Sequence, residues 1–358
     1  MLVLQGGGAL GAYQAGAYEG LAEAGVVPDW ITGVSIGAIN AALIAGNPPE
    51  HRVERLRAFW DRVSASSPLE LPAMLDPIRT TFNRLSAAGA VAFGVNGFFL
   101  PRVPPPFFAG DGTPEALSFY DTEPLKATLE ELVDFDLINH HSTRLSVGAT
   151  KVRTGDSVYF DNRHRHIGPD HIRASGSLPP GFPPVTIDGE EYWDGGIVSN
   201  SPLWYVMDDS PRLNALIVQI DLFSARGELP QNLNEVLERA KDIQYSSKTR
   251  FNTKRVKELS QLHEVLGRVL DRLPAELKED PDVLALRKYC DMGEITVAHL
   301  INRRMSHSAQ SKDYEFSRAT VNELWATGLD DVRRAVANID FLRPREMGLG
   351  MRVYDLTR

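Results

Sequence analysis

The chain has 358 residues, of which 43% are hydrophobic and 24% charged, a composition typical of an ordinary globular protein. Its single cysteine, Cys290, excludes an intramolecular disulfide and a thiolate metal cluster within one chain, and the sequence predicts neither a metal nor a cofactor. The net charge is −9, and the acidic excess lies before Arg226, which argues against a nucleic-acid partner for that part.

The first 45 residues alternate between short apolar runs and helical patterns. Residues 2–4 predict a buried strand, and apolar residues then recur at helical spacing from Leu10 to Leu21 until Gly25 ends the helix. Residues 30–32 predict a second strand, followed by a helix of small residues over 37–45. This alternation is typical of an α/β fold whose parallel sheet is covered by helices, with ligands bound at the carboxyl ends of the strands.

Further strand patterns follow, and after them the chain becomes helical. The predicted strands cover residues 144–150, 157–160, 185–187, 190–193 and 216–222, and the predicted helices cover residues 233–270, 275–289 and 314–337. Asp188-Gly189 has the signature of a two-residue hairpin turn. The sequence therefore predicts a domain over 1–225 and a helical C-terminal extension over 226–358.

Gly33-Val34-Ser35-Ile36-Gly37 joins the second strand to the second helix. A serine between two flanking glycines at this junction can adopt the strained turn that exposes a nucleophilic Oγ. The positive end of the following helix favours an anion at the same place. A serine that only caps the helix is the alternative. Ser35 is the predicted nucleophile, with Gly33 and Gly37 supporting the turn.

A second glycine cluster follows the first strand. The backbone N–H groups of Gly6, Gly7, Gly8 and Ala9 are predicted to form an oxyanion hole beside Ser35, with Gly11 supporting the loop. Gly6, Gly8 and Gly11 also match the Gly-x-Gly-x-x-Gly pattern of dinucleotide-binding folds. That alternative requires an acidic residue at the end of the second strand, where this chain has Ser35.

The serine needs a base, and Asp194 is the predicted one. It ends a strand and precedes Gly195 and Gly196, which let the backbone pass close to a serine hydroxyl. Burial in a cleft would raise the pKa of its carboxyl and strengthen it as a base. Asp188 is explained by the hairpin turn. The histidines His164, His166 and His171 occupy no recognisable catalytic loop.

These residues together resemble the patatin-like phospholipases. The matching motifs are Gly6-Gly7-Gly8-Ala9-Leu10-Gly11, Gly33-Val34-Ser35-Ile36-Gly37 and Asp194-Gly195-Gly196. The resemblance implies a three-layer α/β fold with a mostly parallel central sheet, a Ser-Asp dyad, and a place near the site for Ala174-Ser175 and the prolines Pro179 and Pro180. One departure is Leu10, where the family commonly has Arg or Lys.

The predicted activity is hydrolysis of a lipid or other ester through an acyl-enzyme. Two alternatives remain open, an acyltransferase on the same core and a lipid-binding scaffold. The residues before Gly6 lack the regions of a secretory signal, so the expected location is the cytoplasm, with peripheral contact at a membrane surface.

Two segments bear on membrane contact. Phenylalanines crowd one Gly/Pro-rich stretch and predict either a lid that touches lipid or a loop packed on the core: Phe93, Phe98, Phe99, Phe107 and Phe108. A basic run between Lys248 and Lys257 predicts a solvated helix surface or, as the alternative, contact with anionic lipid.

Overall fold

The fold is seen in a computed structural model. It describes residues 1–64, 76–140, 143–209, 214–246, 258, 261–263, 265–290, 295–303, 312–338, 341–342 and 351–357. The basic run between Lys248 and Lys257 lies outside these described residues.

Strands and helices alternate over the first 45 residues, and further strands and helices follow along the described chain. The strands are β1 Leu2–Leu4, β2 Trp30–Val34, β3 Leu100–Pro101, β4 Tyr120–Asp121, β5 Arg144–Lys151, β6 Ser157–Asp161, β7 Val185–Ile187, β8 Glu190–Asp194, β9 Ala215–Asp221, β10 Ile295–Ile301 and β11 Met351–Asp355. The helices whose bounds the structure describes are α1 Gly11–Glu23, α2 Ile36–Ala45, α3 Arg52–Ser64, α4 Asp76–Phe93, α5 Glu123–Leu132, α6 Phe135–Asn139, α7 Pro169–Ser175, α8 Leu203–Asp209, α9 Leu233–Tyr245, α10 Ala275–Lys278, α11 Pro281–Cys290 and α12 Arg318–Asn338.

Among the described residues, nine strands form a central sheet with the order β11-β10-β9-β1-β2-β5-β8-β7, and β6 is also paired to β5. The run from β11 to β5 is parallel, whereas β6, β7 and β8 pair antiparallel. Parallel strands place their carboxyl ends at one edge, so the turns after β1 and β2 meet there. The predicted α/β class with a mostly parallel sheet is confirmed.

Helices cover both faces of this sheet, which gives three layers. Leu2 and Leu4 of β1 pack into a large core with α1, α2 and α3 on one face. Val3 points to the other face, where it packs with Leu203 and Val206 of α8. The alternation follows from the pleat of the strand, which turns successive side chains to opposite faces.

The prediction that residues 216–222 form the last strand is wrong. β10 and β11 follow β9 in space and extend the sheet in parallel. The predicted single helix over 233–270 is also wrong in its extent, because α9 ends at Tyr245 and Ser246 leaves the helical conformation. A short apolar run such as Ile295–Ile301 has no periodicity that separates strand from helix, and its partner strand lies far away in sequence.

The C-terminal part packs directly on the first helix. A Cβ on Gly16 of α1 would lie 1.9 Å from the carbonyl oxygen of Trp325, and one on Gly328 would lie 2.1 Å from that of Tyr13. The two helices therefore touch backbone to backbone, which only glycines allow. α1 is thus buried on almost all sides. The domain boundary after residue 225 stays a prediction.

Candidate active site

Ser35 lies on a strained turn between β2 and α2. Its backbone has φ 56° and ψ −126°, a conformation that residues with a Cβ rarely adopt. A Cβ on Gly33 would lie 2.2 Å from the carbonyl oxygen of Gly37, and one on Gly37 would lie 2.4 Å from that of Leu4. Both flanking positions therefore require glycine, and this turn is the strand-to-helix geometry that the sequence predicts.

The sheet register brings Asp194 to Ser35. β5 lies between β2 and β8, where Gly148 pairs with Val34 and Ala149 pairs with Asp194. Ser35, which follows Val34, and Asp194, the last residue of β8, therefore face each other across β5. The Asp194 carboxylate lies beside the Ser35 hydroxyl and accepts a hydrogen bond, at 2.7 Å, from the Gly196 backbone N–H.

The Asp194 carboxyl is buried, with 2% of the residue exposed. Burial raises the pKa of Asp194 to about 7, and the neighbouring Ser35 hydroxyl and Gly196 N–H lower it only in part. The competitor Asp188 has a side chain that is 79% exposed and occupies the β7–β8 turn, with a φ of 52° followed by 81° at Gly189. A carboxylate with a pKa close to neutral is suited to general-base work, which fits Asp194.

The glycine loop lies beside Ser35, and the four predicted oxyanion donors differ in what they can do. The Gly6 N–H already donates to the Asn200 carbonyl at 3.2 Å, and Ala9 is fully buried away from the cleft. The N–H groups of Gly7 and Gly8 donate to no other residue in the part of the chain that the structure describes. Of the four predicted oxyanion donors, Gly7 and Gly8 are therefore the two with backbone N–H groups available to a substrate.

Asn200 and Ser175 support the two turns. The Asn200 amide donates to the Gly6 carbonyl at 3.1 Å, which holds the glycine loop from its second side. The Ser35 N–H donates to the carbonyl and hydroxyl oxygens of Ser175 at 3.1 and 3.0 Å, and the Ser175 hydroxyl donates to Gly148. The implied place of Ala174-Ser175 near the site is thus a backbone clamp on Ser35. Asn200 belongs to no motif that the sequence showed.

A cavity of about 360 Å³ opens above these groups. Its polar end holds Ser35, Asp194 and the glycine loop, whereas aromatic side chains form much of the remaining wall: Phe98, Phe99, Phe182 and Phe316. Pro179 and Pro180 also line it. Phe98 and Phe99 are 7% and 5% exposed, so they are packed walls of this cavity rather than a mobile lid.

The histidines His164, His166 and His171, which the sequence places in no catalytic loop, do not line the cavity. His171 packs its ring on Phe160 and accepts a hydrogen bond from the Gly168 N–H at its Nδ1. No histidine is among the cavity-lining residues within the described ranges. Nor do the described His, Cys, Asp and Glu residues form a group of three or more placed to hold a metal ion.

Comparison with known proteins agrees with this geometry. A family model described as patatin-like phospholipase matches residues 2–207, and a second, described as patatin phospholipase, matches residues 243–347. The chain belongs to the patatin-like phospholipase family. Membership of that family argues against the dinucleotide-binding alternative for the glycine loop.

Two individual similarities are weaker. An uncharacterized NTE family protein of Mycobacterium tuberculosis is 29% identical over 206 residues, which cover 56% of this chain and 27% of that protein. The chain thus spans about a quarter of the length of this curated relative. The structure of VipD from Legionella pneumophila aligns with 91% of this chain and 66% of its own, at 14% identity and a TM-score of 0.32.

Proposed function

We propose that the protein is a serine hydrolase of lipid esters that works through a Ser35–Asp194 dyad. The observation that carries the proposal is the placement of a serine on a strained turn beside a buried carboxylate with a pKa of about 7. A nucleophile and a base in contact are the minimum apparatus of acyl transfer.

In the first step, the Asp194 carboxylate takes the proton of the Ser35 hydroxyl while Oγ attacks the ester carbonyl. The carbonyl oxygen becomes an oxyanion, which accepts hydrogen bonds from the N–H groups of Gly7 and Gly8. The intermediate collapses to an acyl-Ser35 ester, and Asp194 returns the proton to the departing alcohol. Water then attacks this ester by the same route and releases the fatty acid.

The aromatic wall favours an acyl chain as the group bound beyond Ser35. Burial of apolar surface stabilises binding by about 25 cal/mol per Å², so each methylene placed against Phe98, Phe99 or Phe182 adds affinity.

The proposed hydrolase activity is tested with a panel of soluble esters and lipids, followed by mass spectrometry of the products, for wild type and Ser35→Ala. We expect fatty-acid release by the wild type and a loss of at least about 10³-fold in Ser35→Ala; equal release by both proteins would contradict the proposal.

We further propose that the protein meets its substrate at a lipid surface through an apolar rim formed by Phe93, Leu100, Val103, Phe107 and Phe108. The three phenylalanines are 80%, 81% and 80% exposed, and residues 91–110 contain a single charged residue, Arg102. The rim is continuous with the cavity. Val91 and Tyr120 line the cavity and are joined by a 2.8 Å hydrogen bond, and Tyr120 pairs with the rim strand β3.

The triple variant Phe93→Ser/Phe107→Ser/Phe108→Ser is expected to bind phosphatidylcholine vesicles at least about tenfold more weakly than wild type, because partial insertion of each ring adds about 1 kcal/mol or more. Turnover of a soluble ester should stay within about twofold. The matched control is Val27→Ser/Leu229→Ser/Leu233→Ser, which removes three exposed apolar side chains elsewhere. Vesicle flotation measures the effect, and equal binding by the rim variant and wild type would rule out this docking surface.

None of the helices within the described ranges is both long and apolar enough to cross a membrane.

A further inference from the structure

The C-terminal part of the chain supplies one wall of the catalytic cavity. Lys241 and Tyr245 of α9 line it, as do Asp313 and Tyr314 from the turn before α12. Lys241 and Tyr245 are four residues apart, so they lie on the same face of α9. This wall stands at the polar end of the cavity, beside the glycine loop.

Hydrogen bonds fix the end of α9 against the catalytic loops. The Tyr245 carbonyl accepts from the Gln5 side chain at 3.0 Å and from the Asn200 side chain at 2.9 Å. Asn200 donates to the Gly6 carbonyl as well, so one side chain joins α9 to the glycine loop. The Tyr245 ring packs on Phe223 with a centroid separation of 5.6 Å. The position of this tyrosine relative to Ser35 is therefore set by contacts on both sides.

Lys241 is held over the same loop through Asp313. Its ammonium group forms an ion pair with the Asp313 carboxylate and lies 5.1 Å from the centre of the Tyr314 ring. A Cβ on Gly8 would come within 2.0 Å of the Asp313 carbonyl oxygen, so Asp313 lies directly against the glycine loop. The chain thus has a cation beside this loop even though residue 10, where the family commonly has one, is the buried Leu10.

We propose that Lys241 and Tyr245 form a subsite for the phosphate group of the leaving half of a lipid ester. This inference rests on the proposed function, and it assigns to the C-terminal part a role in choosing the substrate. An ammonium group and a phenolic hydroxyl are donors suited to phosphate oxygens. The acyl chain lies against the aromatic wall, so the leaving half of the ester is directed toward α9.

The donor state of Tyr245 fits this role. Burial raises the pKa of the phenol, and the nearby carboxylates of Asp194 and Asp313 raise it further, so the hydroxyl keeps its proton at neutral pH. Within the described part of the chain, no residue hydrogen-bonds this hydroxyl. The ion pair with Asp313 keeps the Lys241 charge compensated while no phosphate is bound.

The test compares two esters of the same acyl chain in the full-length protein. One is dihexanoylphosphatidylcholine below its micelle concentration, and the other is p-nitrophenyl hexanoate, which has no phosphate. In Lys241→Met and in Tyr245→Phe we expect kcat/KM for the phospholipid to fall about tenfold, mainly through KM, as loss of one charge-assisted hydrogen bond implies. kcat/KM for p-nitrophenyl hexanoate should stay within about twofold. Lys278→Met, on a helix away from the cavity, is the matched control.

An equal fall for both esters would show that the two side chains only support the fold, and no fall for either would also overturn the subsite. Inhibition of p-nitrophenyl hexanoate turnover separates a head group from free phosphate. Glycerophosphocholine should inhibit the wild type more strongly than inorganic phosphate, and the reverse order would overturn the assignment to a lipid head group. Ser35→Ala tests the proposed function separately. If the proposed function is wrong, this variant will keep its turnover of p-nitrophenyl hexanoate.

Discussion

Replacing Asp194 with Asn is expected to lower kcat for a soluble ester roughly 10³-fold, since a general base contributes on the order of 10²- to 10⁴-fold. An amide of the same shape can still accept the Gly196 N–H hydrogen bond, so the loop geometry is kept. The variant then lacks a base that can take the proton of the Ser35 hydroxyl. Steady-state turnover of p-nitrophenyl butyrate measures the loss.

The same substitution is expected to stabilise the fold above neutral pH. The pKa of Asp194 is about 7 in the folded protein and about 3.9 in an unfolded chain. Between these values the folded state holds a proton that the unfolded state releases, so the free energy of unfolding of the wild type falls as pH rises through this window. The neutral amide of the Asp194→Asn variant carries no such penalty. At pH 8 we expect this variant to be more stable by roughly 2–4 kcal/mol, because one pKa unit corresponds to about 1.4 kcal/mol.

The matched control for both effects is Asp188→Asn in the exposed β7–β8 turn. It should change turnover less than about twofold and stability by less than about 0.5 kcal/mol, as surface substitutions usually do. Urea unfolding at pH 4.5 and pH 8 measures the stabilities, and the advantage of Asp194→Asn should be several-fold smaller at the lower pH. A variant that is less stable than wild type at pH 8 would contradict the burial of a charged Asp194.

The second large effect is expected at the contact between α1 and α12. Gly16→Ala places a methyl group where the Trp325 carbonyl lies, at 1.9 Å, so the two helices must move apart. Such overpacking typically lowers the free energy of unfolding by about 1–3 kcal/mol. We expect a value at the upper end of this range, because the clashing atom belongs to the backbone. Turnover of lipid should fall as well, since the turn before α12 carries Asp313 and Tyr314 into the cavity.

Gly89→Ala in α4 is the control for this change. A Cβ there meets nothing within 4 Å, so we expect a neutral effect or a gain of up to about 1 kcal/mol from helix propensity. Thermal and urea unfolding of both variants measure the difference. Equal stability of Gly16→Ala and wild type would show that α12 does not lie this close to α1.

Local patterns carried much of the sequence prediction. The turn at Ser35, the glycine loop and the hairpin at Asp188-Gly189 are all specified by residues next to one another, because each needs particular backbone angles or close approaches. The place of Asp194 at a strand end before two glycines predicts it as the base. The structure puts it one strand away from Ser35, where the register of β5 and β8 brings the pair together.

Contacts between distant segments account for what the sequence missed. β10 pairs with β9 and β11, and none of these neighbours is close in sequence. Asn200, Lys241 and Tyr245 belong to no motif, yet all three line the cavity. Asn200 comes from the segment between β8 and α8, whereas Lys241 and Tyr245 come from α9, which follows β9 at the edge where β1 ends. The helical patterning after residue 226 predicts helices where α9, α11 and α12 lie, but it misses β10 and β11 and says nothing about which helix face meets the site.

The most direct test of the Ser35–Asp194 dyad is the pH dependence of kcat/KM for p-nitrophenyl butyrate in the wild type. This quantity reports the ionisation of the free enzyme. With the pKa of Asp194 at about 7, kcat/KM should rise about tenfold per pH unit from pH 5, bend near pH 7 and level off above it. A value of kcat/KM that stays constant from pH 5 to pH 8 would contradict Asp194 as the base.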